Sequence, residues 1–152
     1  MFIKPMMSAK NVLITGATSG IGLALFNQYS GRGDNVIACG RDENKLAVIA
    51  EKAHQTCLFD LNNPKAMEQA LQKIENLDLV ILNAGDCQYI DGVKHFNGQI
   101  FSNIITTNLT SLGWLLQYIL PKMKEGSQLV FVSSSATILP FPRSEAYGAS
   151  KA

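Results

Sequence analysis

Short apolar runs alternate with longer segments of helical periodicity along the whole chain. Five of the runs are almost continuously hydrophobic, as expected of strands that helices cover on both faces of a parallel sheet. The predicted strands are Asn11–Thr15, Asn35–Cys39, Thr56–Phe59, Leu77–Leu82 and Gln128–Ser133. Parallel strands need crossover connections, so the segments between them must supply helices.

Helix-forming residues fill the segments between the predicted strands. They predict three short helices at Ile21–Tyr29, Glu43–Lys52 and Lys65–Ile74. A fourth, longer helix from Gln99 to Met123 carries an apolar stripe wide enough to face two partners. This alternation predicts an α/β fold, namely a Rossmann-like doubly wound parallel sheet with the strand order 3-2-1-4-5.

The composition describes one ordinary globular domain, residues 1–152, because 47% of the residues are hydrophobic and 16% are charged. The formal net charge is +1 and no run of Lys or Arg stands out, which disfavours nucleic acid and anionic membranes as partners. The three cysteines are odd in number and form no CxxC pair, which argues against a disulfide framework and a zinc site. We therefore expect a cytoplasmic protein that binds no metal.

Two segments bear on targeting and membrane insertion. The first ten residues, MFIKPMMSAK, lack an apolar stretch of signal-peptide length and are interpreted as a short leader. The segment from His95 to Pro121 has no Asp, Glu, Lys or Arg, but its asparagines and glutamines would be costly in hydrocarbon. We therefore expect no membrane span.

A glycine-rich turn, TGATSGIG at residues 15–22, leads directly from the first predicted strand into the first predicted helix. Glycines in such a turn let a pyrophosphate approach the backbone amides at the positive helix N-terminus. The spacing G-x-x-x-G-x-G departs from the general dinucleotide fingerprint G-x-G-x-x-G, so a merely tight strand-to-helix turn remains the alternative. The candidate cofactor-binding residues of the turn are Gly16, Thr18, Ser19, Gly20, Ile21 and Gly22.

The second predicted strand ends in Cys39-Gly40-Arg41, where an NAD-binding protein usually has an acidic residue for the adenosine ribose. A glycine there removes the repulsion of a 2′-phosphate, and the guanidinium of Arg41 can bind that phosphate through two hydrogen bonds. We therefore favour NADP(H) over NAD(H) as the cofactor. The alternatives are that Arg41 is a solvated loop residue and that Asp42 serves the ribose.

Tyr147 and Lys151 stand four residues apart in the sequence YGASK, which places them on one face of a helix. A phenol is a poor general base at neutral pH, but a neighbouring ammonium favours its phenolate, so the pair is a candidate acid/base unit. Ser134 lies at the carboxyl end of the fifth predicted strand, where α/β sheets place ligands, and its hydroxyl can hold a substrate carbonyl. For Ser133 and Ser135, a cap of a turn or helix is the better interpretation.

Asn108 interrupts the long apolar helix, where asparagine is a poor helix former. It either faces solvent or performs a task, and its spacing leaves both open. The two histidines, His54 and His95, match no ligand pattern.

Taken together, these residues resemble the short-chain dehydrogenase/reductase family, in the compact subclass that carries TGxxxGxG and YxxxK. The resemblance extends from about Asn11 to Ala152 and includes the NAG sequence after the fourth predicted strand. It implies that Arg41 meets the 2′-phosphate and that further cofactor contacts come from Asp60, Leu61, Asn83, Ala84, Gly85, Tyr147 and Lys151. For Asp60, a turn or cap before the next helix is the alternative.

The resemblance also implies the chemistry. The tyrosine that matches Tyr147 exchanges a proton with the alcohol while hydride passes to or from the nicotinamide. Ser134 is implied to polarise the carbonyl and Asn108 to order a water in the proton relay. Lys151 is implied to bind the nicotinamide ribose and to stabilise the phenolate. The implied function is that of an NADP(H)-dependent oxidoreductase acting on a small-molecule carbonyl or alcohol.

Family members usually continue well beyond this length, because a doubly wound sheet has a second half. We expect this chain to lack the C-terminal strands and the substrate loop, and the helix with Tyr147 and Lys151 to have barely one turn, which frays. A full-length member is expected to be a homo-oligomer, in which the helix from Gln99 to Met123 packs on a second subunit. That expectation does not extend to the short chain alone, so the alternative function is a truncated, catalytically inactive nucleotide-binding protein.

Overall fold

A computed structural model describes residues 8–152, so most of the predicted leader lies outside the described residues. The strands are β1 Asn11–Thr15, β2 Asn35–Gly40, β3 Gln55–Leu58, β4 Leu77–Leu82 and β5 Met123–Phe131. The α-helices are α1 Gly20–Gly31, α2 Glu43–Ile49, α3 Pro64–Leu71, α4 Gly98–Ile105, α5 Ser111–Ile119 and α6 Glu145–Lys151. A π-helical turn, Thr106–Thr110, joins α4 to α5.

The five strands form one parallel sheet in the order β3-β2-β1-β4-β5, as the apolar pattern predicted. Every pair of neighbours is parallel, with Val12 opposite both Val36 of β2 and Leu79 of β4. The chain must therefore cross over between strands, and the helices that it forms on the way cover both faces. The α/β, doubly wound architecture is confirmed for the residues described.

Successive residues of the central strand point to opposite faces of the sheet and fill two separate cores. Leu13 packs with Met67 and Leu71 of α3 and with Leu115 of α5 on one face. On the other face, Val12 and Ile14 pack with Phe26 of α1. Each of these side chains is fully buried, which stabilises the fold by roughly 1.5–3 kcal/mol per large apolar residue.

The long helix predicted from Gln99 to Met123 differs in two ways from the structure. It is interrupted at Thr106–Thr110 by the π-helical turn, and it ends at Lys122 in a single 3₁₀ turn that contains Pro121, which has no N–H to donate. Met123 instead begins β5, five residues before the predicted start of that strand. The first half of β5 is polar and contains a glycine at positive φ, so an apolar run could not reveal it.

The carboxyl ends of β1, β2, β4 and β5 lie at the same edge of the sheet because the strands are parallel. The sequence places the glycine turn, Arg41, the NAG sequence and Ser134 directly after these four strands. The fold therefore brings the candidate residues from separate parts of the chain to one edge. No helix within residues 8–152 is both long and apolar enough to cross a membrane.

Candidate active site

A cleft of about 350 Å³ opens at the carboxyl ends of β1, β2 and β4. Most of the predicted cofactor residues line it, namely Gly16, Thr18, Ser19, Arg41, Asp60, Leu61, Asn83, Ala84 and Gly85. Gly40, whose lack of a carboxylate favoured NADP(H), also lines it, as do residues that the sequence did not single out, among them Thr15, Lys45, Asp86 and Thr107. Clefts of this size at this edge of an α/β sheet accommodate nucleotides and other small ligands.

The glycine turn folds tightly onto the first turn of α1. Gly16 and Gly20 have φ angles of 67° and 51°, which L side chains rarely adopt. A Cβ on Gly22 would lie 2.0 Å from the carbonyl oxygen of Gly16, so no side chain fits there. Ile21 is 64% exposed and does not line the cleft, in contrast to its neighbours Thr18 and Ser19.

Asn83 and Thr15 lock the glycine turn to the end of β4. The Nδ2 of Asn83 donates to the carbonyl oxygen of Thr15 at 3.1 Å. The hydroxyl of Thr15 accepts hydrogen bonds from the backbone N–H groups of Asn83 and Ala84, at 3.0 and 3.1 Å. Thr15 is 2% exposed and was not predicted as a site residue, although a hydroxyl that ends a buried apolar strand is the available signal.

The end of β2 is shaped to exclude a larger side chain. A Cβ on Gly40 would lie 3.1 Å from Cγ2 of Thr18 and 3.4 Å from side-chain atoms of Leu46. The carboxylate of Asp42 caps α2 by accepting from the N–H of Lys45 at 3.1 Å. Arg41 is exposed and lines the same cleft, as does Lys45, whose ammonium lies 3.9 Å from Oδ2 of Asp42.

Asp60 forms the turn before α3, which was the alternative interpretation of this residue. Its Oδ1 accepts from the N–H of Asn62 at 2.8 Å, and its carbonyl oxygen accepts from the N–H of Asn63 at 3.0 Å. Asn63 in turn caps α3 by accepting from Ala66 N–H at 3.1 Å. Asp60 and the half-buried Leu61 nevertheless both line the cleft, so a turn role and a cofactor contact are compatible.

Asn108 lies in the π-helical turn and is buried, with an exposed fraction of 3%. Its Oδ1 accepts from the N–H of Asp86 at 2.7 Å, and its Nδ2 donates to the carbonyl oxygen of Asp86 at 2.8 Å and to the hydroxyl of Ser150 at 2.9 Å. The solvent-facing alternative for Asn108 is therefore wrong. The π turn, with its wider loop of backbone, places this side chain in the interior, and π turns are frequent at functional sites.

Ser150 connects Asn108 to the helix that carries the tyrosine. Its hydroxyl donates to the carbonyl oxygen of Tyr147 at 2.8 Å while it accepts from Asn108. Ser150 is 5% exposed and was not predicted, because nothing in the YGASK sequence distinguishes it from a helix surface residue. Its hydroxyl therefore satisfies a buried amide from another helix.

Helix α6 has seven residues, about two turns, rather than the single frayed turn expected from the sequence. Lys151 is half-buried, and its ammonium donates to the carbonyl oxygen of Val132 at 3.0 Å. This bond and the Ser150 contact to Asn108 tie the helix to β5 and to the π turn. Tertiary contacts thus supply the order that so short a helix lacks by itself.

The ammonium of Lys151 lies 5.9 Å from the ring centroid of Tyr147, so the two side chains share one face of α6 as predicted. Partial burial lowers the pKa of Lys151, because it penalises the charged form. Gly85 borders both Lys151 and Asn108: a Cβ there would lie 3.3 Å from Nζ of the lysine and 3.3 Å from Oδ1 of the asparagine. The cleft therefore ends beside the predicted catalytic groups.

Ser134 caps the 3₁₀ turn Ser135–Thr137, which follows β5. Its Oγ accepts from the N–H of Ala136 at 3.2 Å, which uses a lone pair and leaves the O–H able to donate. The sequence had favoured Ser133 and Ser135 as the capping residues; Ser133 instead donates to the carbonyl oxygen of Lys151 at 3.4 Å. A Cβ on Gly148 would lie 3.2 Å from the carbonyl oxygen of Ala136, so the turn packs directly on α6.

Comparison with known proteins identifies relatives along almost the whole chain. It is 31% identical over 153 aligned positions to sulfoacetaldehyde reductase 2 of Chromohalobacter salexigens, covering 93% of this chain and 61% of the relative. It is 27% identical to an NADP-dependent 3-hydroxy acid dehydrogenase of Escherichia coli K12, covering 93% and 60%. The chain therefore spans about 60% of the length of the relatives it matches.

Solved structures agree with this relationship. A short chain dehydrogenase from Shigella flexneri superposes with a TM-score of 0.86 at 28% identity, over 96% of this chain and 63% of that protein. The sequence model of the short chain dehydrogenase family matches residues 10–152, which include the glycine turn at one end and α6 at the other. The chain belongs to the short-chain dehydrogenase family.

Proposed function

We propose that this chain is the NADP(H)-binding and catalytic part of an oxidoreductase that interconverts a small-molecule carbonyl and an alcohol, organised as one domain over residues 1–152. The observation that carries the proposal is the position of Gly85. It lines the nucleotide-sized cleft and at the same time borders both Lys151 and Asn108. A ligand in the cleft would therefore reach the groups that the sequence predicted to be catalytic.

The cleft fits a dinucleotide on the evidence of its own backbone. Two glycines at positive φ and the absence of space for a Cβ at Gly22 form a cradle at the start of α1, where the helix dipole favours phosphate. The residues that would hold NADPH are Gly16, Thr18, Ser19, Gly20, Ile21, Gly22, Arg41, Asp60, Leu61, Asn83, Ala84, Gly85, Tyr147 and Lys151. When bound, NADPH supplies a hydride.

Selectivity for NADP(H) rests on the end of β2. No carboxylate stands at Gly40, and the space that a side chain would need there is limited by Thr18. The Asp42 carboxylate caps α2 and pairs with the ammonium of Lys45 at 3.9 Å, so Arg41 is proposed as the main cationic group for a 2′-phosphate, with Lys45 beside it. One of the relatives described above is NADP-dependent.

The roles proposed for the chain's own groups rest on the family resemblance, and the positions of Tyr147, Lys151 and Asn108 support them. The phenol of Tyr147 donates a proton to the carbonyl oxygen in reduction and accepts it in oxidation. The ammonium of Lys151, on the same face of α6, favours the phenolate. The O–H of Ser134 holds the carbonyl oxygen, and Asn108 fixes α6 through Ser150 and, as in the family it resembles, takes part in ordering the proton relay.

The substrate is a small carbonyl or alcohol, in line with a relative that is a sulfoacetaldehyde reductase and another that is a 3-hydroxy acid dehydrogenase. The complete protein is proposed to be a homo-oligomer that buries the apolar stripe of α4, the π-helical turn and α5, where Leu109 of the turn and Trp114 of α5 are 51% and 42% exposed. The three free thiols fit a cytoplasmic location.

The test is consumption of NADPH by the purified protein with a panel of aldehydes, ketones and oxoacids, measured by absorbance, with NADH in parallel. We expect turnover with NADPH, a lower kcat/KM with NADH, and loss of turnover with retained NADPH binding in Tyr147→Phe. Binding without turnover across the panel would favour the inactive nucleotide-binding protein. The intact mass of the polypeptide made in the cell, compared with 16.5 kDa for this chain, establishes which polypeptide is being assayed.

A further inference from the structure

Arg143 connects two loops that border the catalytic groups. It lies four residues before Tyr147, between the end of β5 and α6, and has a φ of 69°, which is uncommon for a residue other than glycine. Its carbonyl oxygen accepts from the N–H of Ile90 at 2.8 Å, and its own N–H donates to Oε1 of Glu145 at 3.1 Å. The backbone of Arg143 thus joins the loop after β4 to the first turn of α6.

The side chain of Arg143 reaches the same loop. Its guanidinium forms an ion pair with Asp91 and lies 5.5 Å from the ring centroid of Tyr89. The residue between them, Ile90, is 3% exposed and anchors the loop in the interior. An exposed ion pair alone stabilises little, but here one residue contacts three consecutive loop positions through backbone and side chain together.

We propose that Arg143 is a positioning residue, which fastens the loop after β4 to the start of α6 and thereby holds Tyr147 and the substrate side of the cleft in a fixed relation. Near its start, at Gly85 and Asp86, the loop lies beside Asn108 and Lys151. In the first turn of α6, the N–H of Gly148 donates to the carbonyl oxygen of Ser144, the residue after Arg143, at 2.9 Å. Only the kinetic test of this inference rests on the proposed function.

The physical part is tested by Arg143→Gly, because glycine keeps the positive φ and the carbonyl acceptor while the side-chain contacts disappear. Arg143→Lys preserves a charge for Asp91. The matched control is Arg32→Ala, which removes a guanidinium 5.4 Å from the ring of Tyr29 at the end of α1, away from the cleft. Amide hydrogen exchange should accelerate in residues 86–92 and 144–151 for Arg143→Gly and stay unchanged in both segments for Arg32→Ala. Unchanged exchange in Arg143→Gly overturns the proposal whatever the activity.

The kinetic part uses the same variants with NADPH and the best carbonyl of the panel. We expect kcat to fall about tenfold in Arg143→Gly while the affinity for NADPH is unchanged, and Arg143→Lys to recover part of the loss. Asp91→Ala should give a loss of the same kind, and the double variant with Arg143→Gly should be no worse than Arg143→Gly alone. Turnover in the wild type with equal kcat in Arg143→Gly overturns the inference and leaves the proposed function standing. No turnover in the wild type counts against the function, and the exchange experiment then decides the inference.

Discussion

Gly85→Ala is the substitution that most directly tests whether the cleft and the proposed catalytic groups work together. A Cβ at this position would lie 3.3 Å from Nζ of Lys151, 3.6 Å from its Cε and 3.3 Å from Oδ1 of Asn108. The two 3.3 Å distances are shorter than ordinary van der Waals contacts, so both side chains must move by a few tenths of an ångström. The φ of Gly85 is not in the left-handed region, so alanine fits the backbone.

The magnitude follows from geometry rather than from charge. At an effective dielectric constant of about 20, an ammonium and a phenolate about 6 Å apart attract by roughly 3 kcal/mol, and a shift of a few tenths of an ångström changes that by only about 0.15 kcal/mol. Misplacement of reacting groups costs far more, about 100-fold in rate per ångström. A displacement of about 0.3 Å therefore predicts that kcat for Gly85→Ala falls roughly four- to fivefold, with a smaller change in affinity for NADPH.

The assay is steady-state NADPH oxidation together with thermal unfolding. Alanine restricts the unfolded chain, which stabilises the protein by roughly 0.4–1 kcal/mol, but displacement of the buried Asn108 opposes this gain, so we expect little net change in stability. The matched control is Gly113→Ala in α5, where nothing lies within 4 Å of the new Cβ. A kcat for Gly85→Ala equal to that of the wild type, or an equal loss in Gly113→Ala, would refute the reasoning.

Three further predictions address the turn, the buried network and the thiols. Gly22→Ala should abolish NADPH binding measured by fluorescence, because the Cβ would come within 2.0 Å of a carbonyl oxygen. Ser150→Ala should lower the free energy of unfolding in urea by about 1–3 kcal/mol and reduce kcat, because the buried amide of Asn108 loses an acceptor. Partial burial and the charge of Asp86 raise the pKa of Cys87, so this exposed thiol should react slowly with a disulfide reagent at neutral pH and faster as the pH rises; Asp86→Asn should accelerate it.

Each of these has a control within the chain. Gly31→Ala has open space at its Cβ and should bind NADPH normally. Ser30→Ala removes a buried hydroxyl that has no hydrogen-bond partner among residues 8–152, so it should not destabilise the protein. The buried Cys39 and Cys57 should stay unreactive until the protein unfolds. A stability loss in Ser30→Ala equal to that in Ser150→Ala, normal NADPH binding in Gly22→Ala, or a Cys87 rate independent of pH would each contradict the prediction concerned.

The sheet could be predicted from the sequence because each strand is marked by a pattern of consecutive residues. β1 and β4 were predicted with their observed bounds, since each has an uninterrupted apolar centre, Val12–Ile14 in β1 and Leu79–Leu82 in β4, next to polar residues. The start of β5 could not be predicted, because Met123 and Gln128 pair with β4 across an irregularity in register and the polar residues between them carry no apolar pattern. Similarly, a linear pattern gives no sign of a π turn, which depends on where the side chain of Asn108 finds partners.

The candidate site divides in the same way. Spacing along the chain marks Tyr147, Lys151 and the glycine turn. In the structure, Tyr147 and Lys151 share one face of α6, and Gly16 and Gly22 approach each other closely within the turn. Thr15 and Ser150 escaped prediction because their hydrogen-bond partners are 68 and 42 residues away in sequence. Only the folded sheet and its packed helices bring such partners together.

The contacts that hold the site use backbone groups to a large degree, and this determines where the sequence is constrained. Asn108 is fixed by the amide and carbonyl of Asp86, and Lys151 by the carbonyl of Val132, so the residues that supply these groups need no particular side chain. The strict requirements fall instead on Gly22 and Gly85, where an added Cβ would meet a carbonyl oxygen or two functional side chains. A site built in this way should tolerate substitution of Asp86 and Val132 better than the addition of one methyl group at either glycine.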